Sequence, residues 1–214
     1  MFDEFLRALK DRFFAPFARR LGGFMGPNTV SLFAFLAGMA SAGVVLLGGF
    51  FPALLLWLVN RIADGLDGSV ARETDRQTDF GGYLDIMLDF TVYAAVPVAF
   101  AVFHDSREVY LSAMVLLAVF YANAASWMYL SALAEKRGEK RRGFREQGQN
   151  RPEGGHSTSL PMPRGLIGGA ETLVIYTLFF VFPGAVKLLF LGMAFLTLVT
   201  ILQRLVWARR HLDR

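Results

Sequence analysis

Asp64, Asp67, Asp85 and Asp89 fall within 26 residues of one another, in a part of the chain that is otherwise strongly apolar. The stretch reads Asp64-Gly-Leu-Asp67-Gly68-Ser-Val-Ala71-Arg72, then eight residues, then Gly81-Gly82-Tyr-Leu-Asp85-Ile-Met-Leu-Asp89. Ionised carboxylates in or near a bilayer cost roughly 2.5–3.5 kcal/mol each on insertion scales. Four of them need compensation from water, cationic side chains or metal ions. Oxygen-only donor sets suit hard divalent cations such as Mg²⁺, Mn²⁺ or Ca²⁺, and the absence of thiols and of histidine within the cluster disfavours zinc and copper. Mg²⁺ is usually held by a few carboxylates together with phosphate oxygens, so an anionic phosphate ligand is the natural complement. Two other readings are physically open. The aspartates could pair with Arg61, Arg72 and Arg76 to stabilise a cavity in a transporter, or they could form a proton relay.

The elements that would position these groups are helices. Asp64 and Asp67 are three apart and Asp85 and Asp89 four apart, so each pair shares one helix face. The Arg72–Gly81 connection is short enough to make the two helices antiparallel neighbours, which would gather four carboxylates around one small volume. Gly68, Ala71, Gly81 and Gly82 lack bulk and would let a backbone or a nucleotide approach closely. Arg72 could neutralise a phosphate charge.

Composition sets the surroundings. Hydrophobic residues make up 54% of the 214, with 21 phenylalanines, against roughly 45–50% apolar usage in soluble domains. Mean hydropathy is +0.41, and residues 29–59 contain no charged side chain. Apolar residues come in long blocks, the pattern of lipid-facing helices. Zero cysteines exclude disulfides, zinc thiolate sites and cysteine nucleophiles. A net charge of +4 fits contact with anionic lipid heads or an anionic substrate. A nucleic-acid partner is disfavoured, because no basic stripe is interleaved with exposed aromatics. No cleavable signal peptide is apparent.

Residues 1–21 place Phe2, Phe5, Leu6, Leu9 and Phe13 at helical spacing among basic residues and predict an amphipathic helix that lies on the membrane surface, packs against the chain's own cytoplasmic loops, or does both. Gly26-Pro27-Asn28 breaks the chain, after which Asn28 or Thr29 could cap a new helix. Six spans are expected, at about 29–49, 52–72, 82–103, 109–133, 165–182 and 185–206. They make up an all-α integral membrane catalytic domain over 26–206, with a long loop at 134–164 and a tail at 207–214. Lys and Arg concentrate in 1–21, at Arg72 and Arg76, in 134–164 and at the C-terminal end, while the opposite turns offer Arg107 and Lys187. That asymmetry predicts cytoplasmic N and C termini, with the aspartates at the cytoplasmic side of a bacterial-type inner membrane.

The aspartate stretch resembles the CDP-alcohol phosphotransferase (phosphatidyltransferase) signature, D-x2-D-G-x2-A-R-x8-G-x3-D-x3-D. Every fixed position is met, by Asp64, Asp67, Gly68, Ala71, Arg72, Gly81, Asp85 and Asp89. Six spans, an N-terminal surface helix and the Pro27-Asn28 pair opening the first span are also similar to this family; residues 134–164 match nothing in it. The resemblance implies a two-metal site, with Mg²⁺ or Mn²⁺ held by Asp64, Asp67 and Asp85, and Asp89 as general base, also touching a metal. It implies that the CDP moiety sits over Gly68, Ala71, Arg72 and Gly81 with Asn28 nearby. The implied activity is transfer of a phosphatidyl group from CDP-diacylglycerol to a polar alcohol with release of CMP, in phospholipid biosynthesis. Transfer of phosphocholine or phosphoethanolamine to diacylglycerol is the alternative within the family, and a cation-binding transporter or a silent scaffold the alternative outside it. The acceptor stays open: Pro97 follows Asp89 as in phosphatidylserine synthases, but the Ser-Phe-Gly of those enzymes is absent, and so is the Asp-Pro-x-Ala-Asp-Lys of phosphatidylglycerolphosphate synthases.

Glu171 in the fifth span is a candidate for the acceptor or a metal-bound water, or a partner for Arg164 or Arg61. Arg164 could hold an acceptor phosphate or serve as a positive-inside anchor. His104, His156 and His211 lack partners at ligand spacing and read as surface residues. Trp57, Trp127 and Trp207 suit interfacial anchoring or packing. The run Gly38-x-x-x-Ala42 suits close helix packing, within the chain or in a homodimer.

Overall fold

The computed structural model describes residues 18, 20, 22–146 and 167–212. The expected surface helix over 1–21 thus lies almost wholly outside the described residues. Those described form an all-α protein of six helices: α1 (Pro27–Leu46), α2 (Phe50–Glu73), α3 (Asp79–His104), α4 (Arg107–Glu146), α5 (Gly169–Val181) and α6 (Val186–Leu212). A 3₁₀ turn, Pro183–Ala185, joins the last two. By length and composition, α1, α3, α4 and the Pro183–Leu212 segment can each cross a membrane. α2 is equally long but carries Arg61, Asp64, Asp67 and Arg72. α5 has 13 residues, about 20 Å at 1.5 Å per residue, shorter than the expected 165–182.

Three boundaries differ from the sequence reading for local reasons. α1 begins at Pro27, with Gly26 as N-cap, because proline is pre-set for the first helical position and its missing N–H is no loss there. Neither Asn28 nor Thr29 is the cap, and Asn28 is left free to face a cavity. α4 continues to Glu146, so the stretch expected to open the loop at 134 is helical at its start. Its Ala, Glu, Lys and Arg residues are strong helix formers whether or not lipid surrounds them. α6 likewise runs to Leu212, through most of the expected tail.

The chain divides into two compact units: the residues up to Ala113 with Leu173–Leu189, and Met114–Thr172 with Phe190–Arg214. In the first unit α1 packs along both α2 and α3. The close approach is made at Gly38, where a Cβ would stand 2.7 Å from Val92 and 3.0 Å from Asn60 Nδ2. Packing within the chain therefore accounts for this small residue. An aromatic core fills the unit. Trp57 is fully buried, stacks on Tyr176 with centroids 5.3 Å apart, and lies 5.9 Å from Phe180, which meets Phe100 edge to face. His104, expected at the surface, ends α3 packed against Phe103, with Nε2 shielded from solvent.

The second unit has an apolar core that includes Leu116, Phe190 and Met193. Polar ties join its helices. Arg204 donates to Asn123 Oδ1 at 2.6 Å, and Thr200 Oγ1 accepts from the Ile167 N–H. Arg137 donates to the carbonyls of His211 and Leu212, which have no partner within a helix that ends there.

Candidate metal and phosphate site

Helix spacing brings Asp64 and Asp67 to one face of α2, and the short turn at Thr74–Thr78 returns the chain so that Asp85 of α3 faces them. Carboxylate oxygens of Asp64, Asp67 and Asp85 lie within 4.8 Å of one another. That is close to the ~4 Å spanned by opposite ligands of a cation with ~2.1 Å bonds. The donors are all hard oxygens, as Mg²⁺ or Mn²⁺ requires, so these three residues fit a divalent ion. Asp67 is the buried member, 6% exposed. Its orientation is set from α1, where Ser31 Oγ donates to Asp67 Oδ2 at 2.6 Å, and from the Gly68 N–H, which donates to Oδ1.

Beside the three carboxylates opens a cavity of about 320 Å³, lined by Pro27, Asn28, Ser31, Asp67, Gly68, Ala71, Arg72, Arg76, Gln77, Thr78, Gly81, Gly82 and Asp85. It thus unites Asn28, Gly68, Ala71, Arg72 and Gly81, the residues expected to share a ligand. Thr78 caps α3 and accepts from the Gly81 N–H at 3.0 Å. A Cβ at Gly81 would stand 3.0 Å from Thr78 Oγ1 and 3.1 Å from Asn28 Oδ1. Glycine there keeps the α1 and α3 N-termini close and the cavity floor open. At Gly82 a Cβ would meet nothing within 4 Å. The cavity wall mixes apolar and polar surface and carries Arg72 and Arg76, which suits a phosphate-bearing ligand.

Asp89 is placed differently. Of the four carboxylates expected around one volume, three converge within 4.8 Å, and Asp89 borders a small pocket with Asp64 and Asp85 while Arg61 donates through an Nη to Asp89 Oδ1 at 2.7 Å, with Asp64 3.8 Å from its other Nη. Arg61 is one turn N-terminal to Asp64 on α2 and Asp89 one turn C-terminal to Asp85 on α3, so antiparallel helices bring the two together. A pocket of about 10 Å³, the room of a single water, lies among Ser31, Asn60, Arg61, Asp64, Asp85 and Asp89.

Sequence reasoning missed several groups that shape the site. Ser31 and Asn60 carry no motif. Arg61 was weighed as an ion-pair partner, with no role toward the site. Arg76, Gln77 and Thr78 fall in the variable spacer of the signature. Of the two candidate acceptor contacts, Glu171 lies in the second unit, where its carboxylate accepts from the Gly168 N–H at 2.9 Å and so caps α5. Arg164 is outside the described residues.

Comparison with known proteins shows the class to which this all-α fold and its aspartate site belong. A sequence model of the CDP-alcohol phosphatidyltransferase family matches residues 24–208, and the chain belongs to that family. It is 32% identical over 157 residues to the inner membrane protein YnjF of Escherichia coli, covering 73% of this chain and 70% of that one. It is 48% identical over 65 residues to the bifunctional IPC transferase and DIPP synthase of Aquifex aeolicus, 29% of this chain and 14% of that protein. Similar solved structures include the Mycobacterium tuberculosis phosphatidylinositol phosphate synthase PgsA1. With CDP-DAG bound it gives a TM-score of 0.67 at 24% identity, covering 91% of this chain and 92% of that one, a likeness of fold. In complex with manganese and citrate it gives 0.66 at 25% identity, covering 90% and 87%.

Proposed function

We propose that the protein transfers a phosphatidyl group from CDP-diacylglycerol to the hydroxyl of a polar alcohol and releases CMP, in a reaction dependent on Mg²⁺ or Mn²⁺. The observation that carries this reading is the junction of the Asp64, Asp67 and Asp85 carboxylates with a cavity of about 320 Å³ lined by Asn28, Gly68, Ala71, Arg72 and Gly81. Asp64, Asp67 and Asp85 would hold the divalent ions. When bound, these neutralise the diphosphate and stabilise charge on the attacking and leaving oxygens. Arg72 adds positive charge along the same wall, and the small Gly68, Ala71 and Gly81 leave room for the nucleotide.

Asp89 takes the proton from the acceptor hydroxyl. The acceptor oxygen then bonds to the phosphorus that carries diacylglycerol, the bond from that phosphorus to the bridging oxygen breaks, and CMP departs with that oxygen. Positioning and electrostatics supply most of the acceleration in such transfers. The basic residues support cytoplasmic termini and a site facing the cytoplasm. Assembly as a homodimer belongs to the proposal too and is read by cross-linking in membranes. Glu171 and Arg164 remain proposed contacts for the acceptor.

The test uses purified protein in nanodiscs with CDP-diacylglycerol, Mg²⁺ or Mn²⁺, and serine, glycerol 3-phosphate, inositol, inositol 1-phosphate or ethanolamine in turn, reading CMP. Metal-dependent CMP release with one acceptor is the expected outcome. Silence with all of them, followed by turnover of CDP-choline or CDP-ethanolamine with diacylglycerol, would move the activity to the other branch of the family.

A further inference from the structure

Arg61 is a charged side chain 6% exposed, and its partner Asp89 is 25% exposed. Desolvating such a pair costs several kcal/mol per ion, so a buried ion pair is weak evidence for a stabilising role. The surroundings of Arg61 show instead a guanidinium fixed from several sides. Its Cζ lies 4.8 Å from the ring centroid of Trp57 and 4.8 Å from that of Tyr93, within cation–π range of both. Nε donates to Asn60 Oδ1 at 2.6 Å, one Nη to the Tyr93 hydroxyl at 2.9 Å, and the other to Asp89 Oδ1 at 2.7 Å. A planar fork held this way presents one N–H direction to Asp89, which a lysine ammonium cannot reproduce.

Each holding group is itself held by another helix. Asn60 Nδ2 donates to the Ala34 carbonyl of α1 at 2.7 Å. Trp57 Nε1 donates to Thr177 Oγ1 of α5 at 3.2 Å. Tyr93 is fixed through its backbone, because Pro97 lies four residues on inside α3 and has no N–H to bond the Tyr93 carbonyl. Tyr176 of α5 donates its hydroxyl to that carbonyl at 2.7 Å. The proline vacancy is thus used to dock α5 against the ring that covers Arg61.

We propose that Arg61 is a positioning residue for the transfer step: clamped by Trp57, Tyr93 and Asn60, and 3.8 Å from Asp64, it fixes the direction of the Asp89 carboxylate at the edge of the aspartate cluster and aims it at the acceptor hydroxyl. This rests on the reading of Asp89 as the base. Removing the fork while keeping the charge lets the carboxylate rotate, and small misplacement of a reacting group costs about 100-fold in rate.

The test compares wild type with Arg61→Lys in nanodiscs, measuring kcat and KM with the acceptor found above and, separately, Mn²⁺ binding by electron paramagnetic resonance. Expected for Arg61→Lys are a kcat lower by about 100-fold, with KM for CDP-diacylglycerol and Mn²⁺ affinity within about threefold of wild type. A kcat within about threefold of wild type overturns the inference. So does a parallel loss of kcat and Mn²⁺ affinity, which would make Arg61 a support of the carboxylate cluster. Should Arg61→Lys fail to fold, Tyr93→Phe keeps the ring and removes the hydroxyl; a kcat loss of about tenfold at constant KM and Mn²⁺ affinity is expected, and no loss overturns the clamp. Wild-type silence in CMP release is a different result: it removes the proposed transfer, and the positioning role with it.

Discussion

Arg61 and Arg204 are both arginines set on largely apolar helices, and each has a partner on a neighbouring helix. Arg204, half-buried in the second unit, gives one Nη to the neutral amide oxygen and the backbone carbonyl of Asn123. Arg61, in the first unit, gives one arm to a carboxylate, another to a phenolic hydroxyl and its two faces to aromatic rings. A cation satisfied by a neutral amide ties two helices and leaves no charged group to direct. A cation that meets Asp89 at 2.7 Å and Asp64 at 3.8 Å, beside three converging carboxylates, is placed to orient a charged group. The comparison teaches that burial of a charge says little about its use; the charge state and position of its partner say more.

The largest expected effect falls on the converging cluster. Asp67→Asn removes the buried ligand that Ser31 orients, and should cost turnover about 1,000-fold or more together with a weaker Mn²⁺ affinity in a binding titration. Asp89→Asn should lower turnover by roughly 100- to 10,000-fold, the range for a lost general base, while Mn²⁺ still binds; near-normal turnover would end its assignment as the base. The contrast between these two variants in metal binding is the sharpest measure of whether Asp67 and Asp89 play different parts. Gly81→Ala pushes a methyl toward Thr78 Oγ1 and Asn28 Oδ1 and should raise KM for CDP-diacylglycerol about tenfold with a smaller change in kcat. The smallest effect belongs to Arg204→Gln: turnover within about threefold of wild type, and a loss of roughly 2 kcal/mol in stability from the broken charged hydrogen bond, read as a lower unfolding temperature. Turnover lost as heavily as in Arg61→Lys would erase the distinction between the two arginines.

Much of the architecture was legible because its causes are local. The apolar blocks foretold helices, and three- and four-residue spacings foretold that Asp64 would share a face with Asp67 and Asp85 with Asp89. The short turn after Arg72 foretold the antiparallel approach that brings Asp85 to the first pair. Where the sequence misleads, the reason is also local: the charged residues that follow Ala134 look like a loop because they are polar, yet form helix readily, and Pro27 signals a break where it is a first helical residue.

What the sequence by itself determined is therefore the helical class, the membrane character and the aspartate set, since hydropathy, length and periodicity act along the chain. What the tertiary structure decided is which groups each of the four aspartates meets. Ser31 reaches Asp67 across 36 residues and Arg61 reaches Asp89 across 28, distances over which spacing carries no information about direction. The vacancy left by Pro97 could be read from sequence, but not that Tyr176, 83 residues from Tyr93, would fill it. Such contacts depend on which helix faces meet and how closely they approach, and that is set by packing of the whole unit rather than by any single segment.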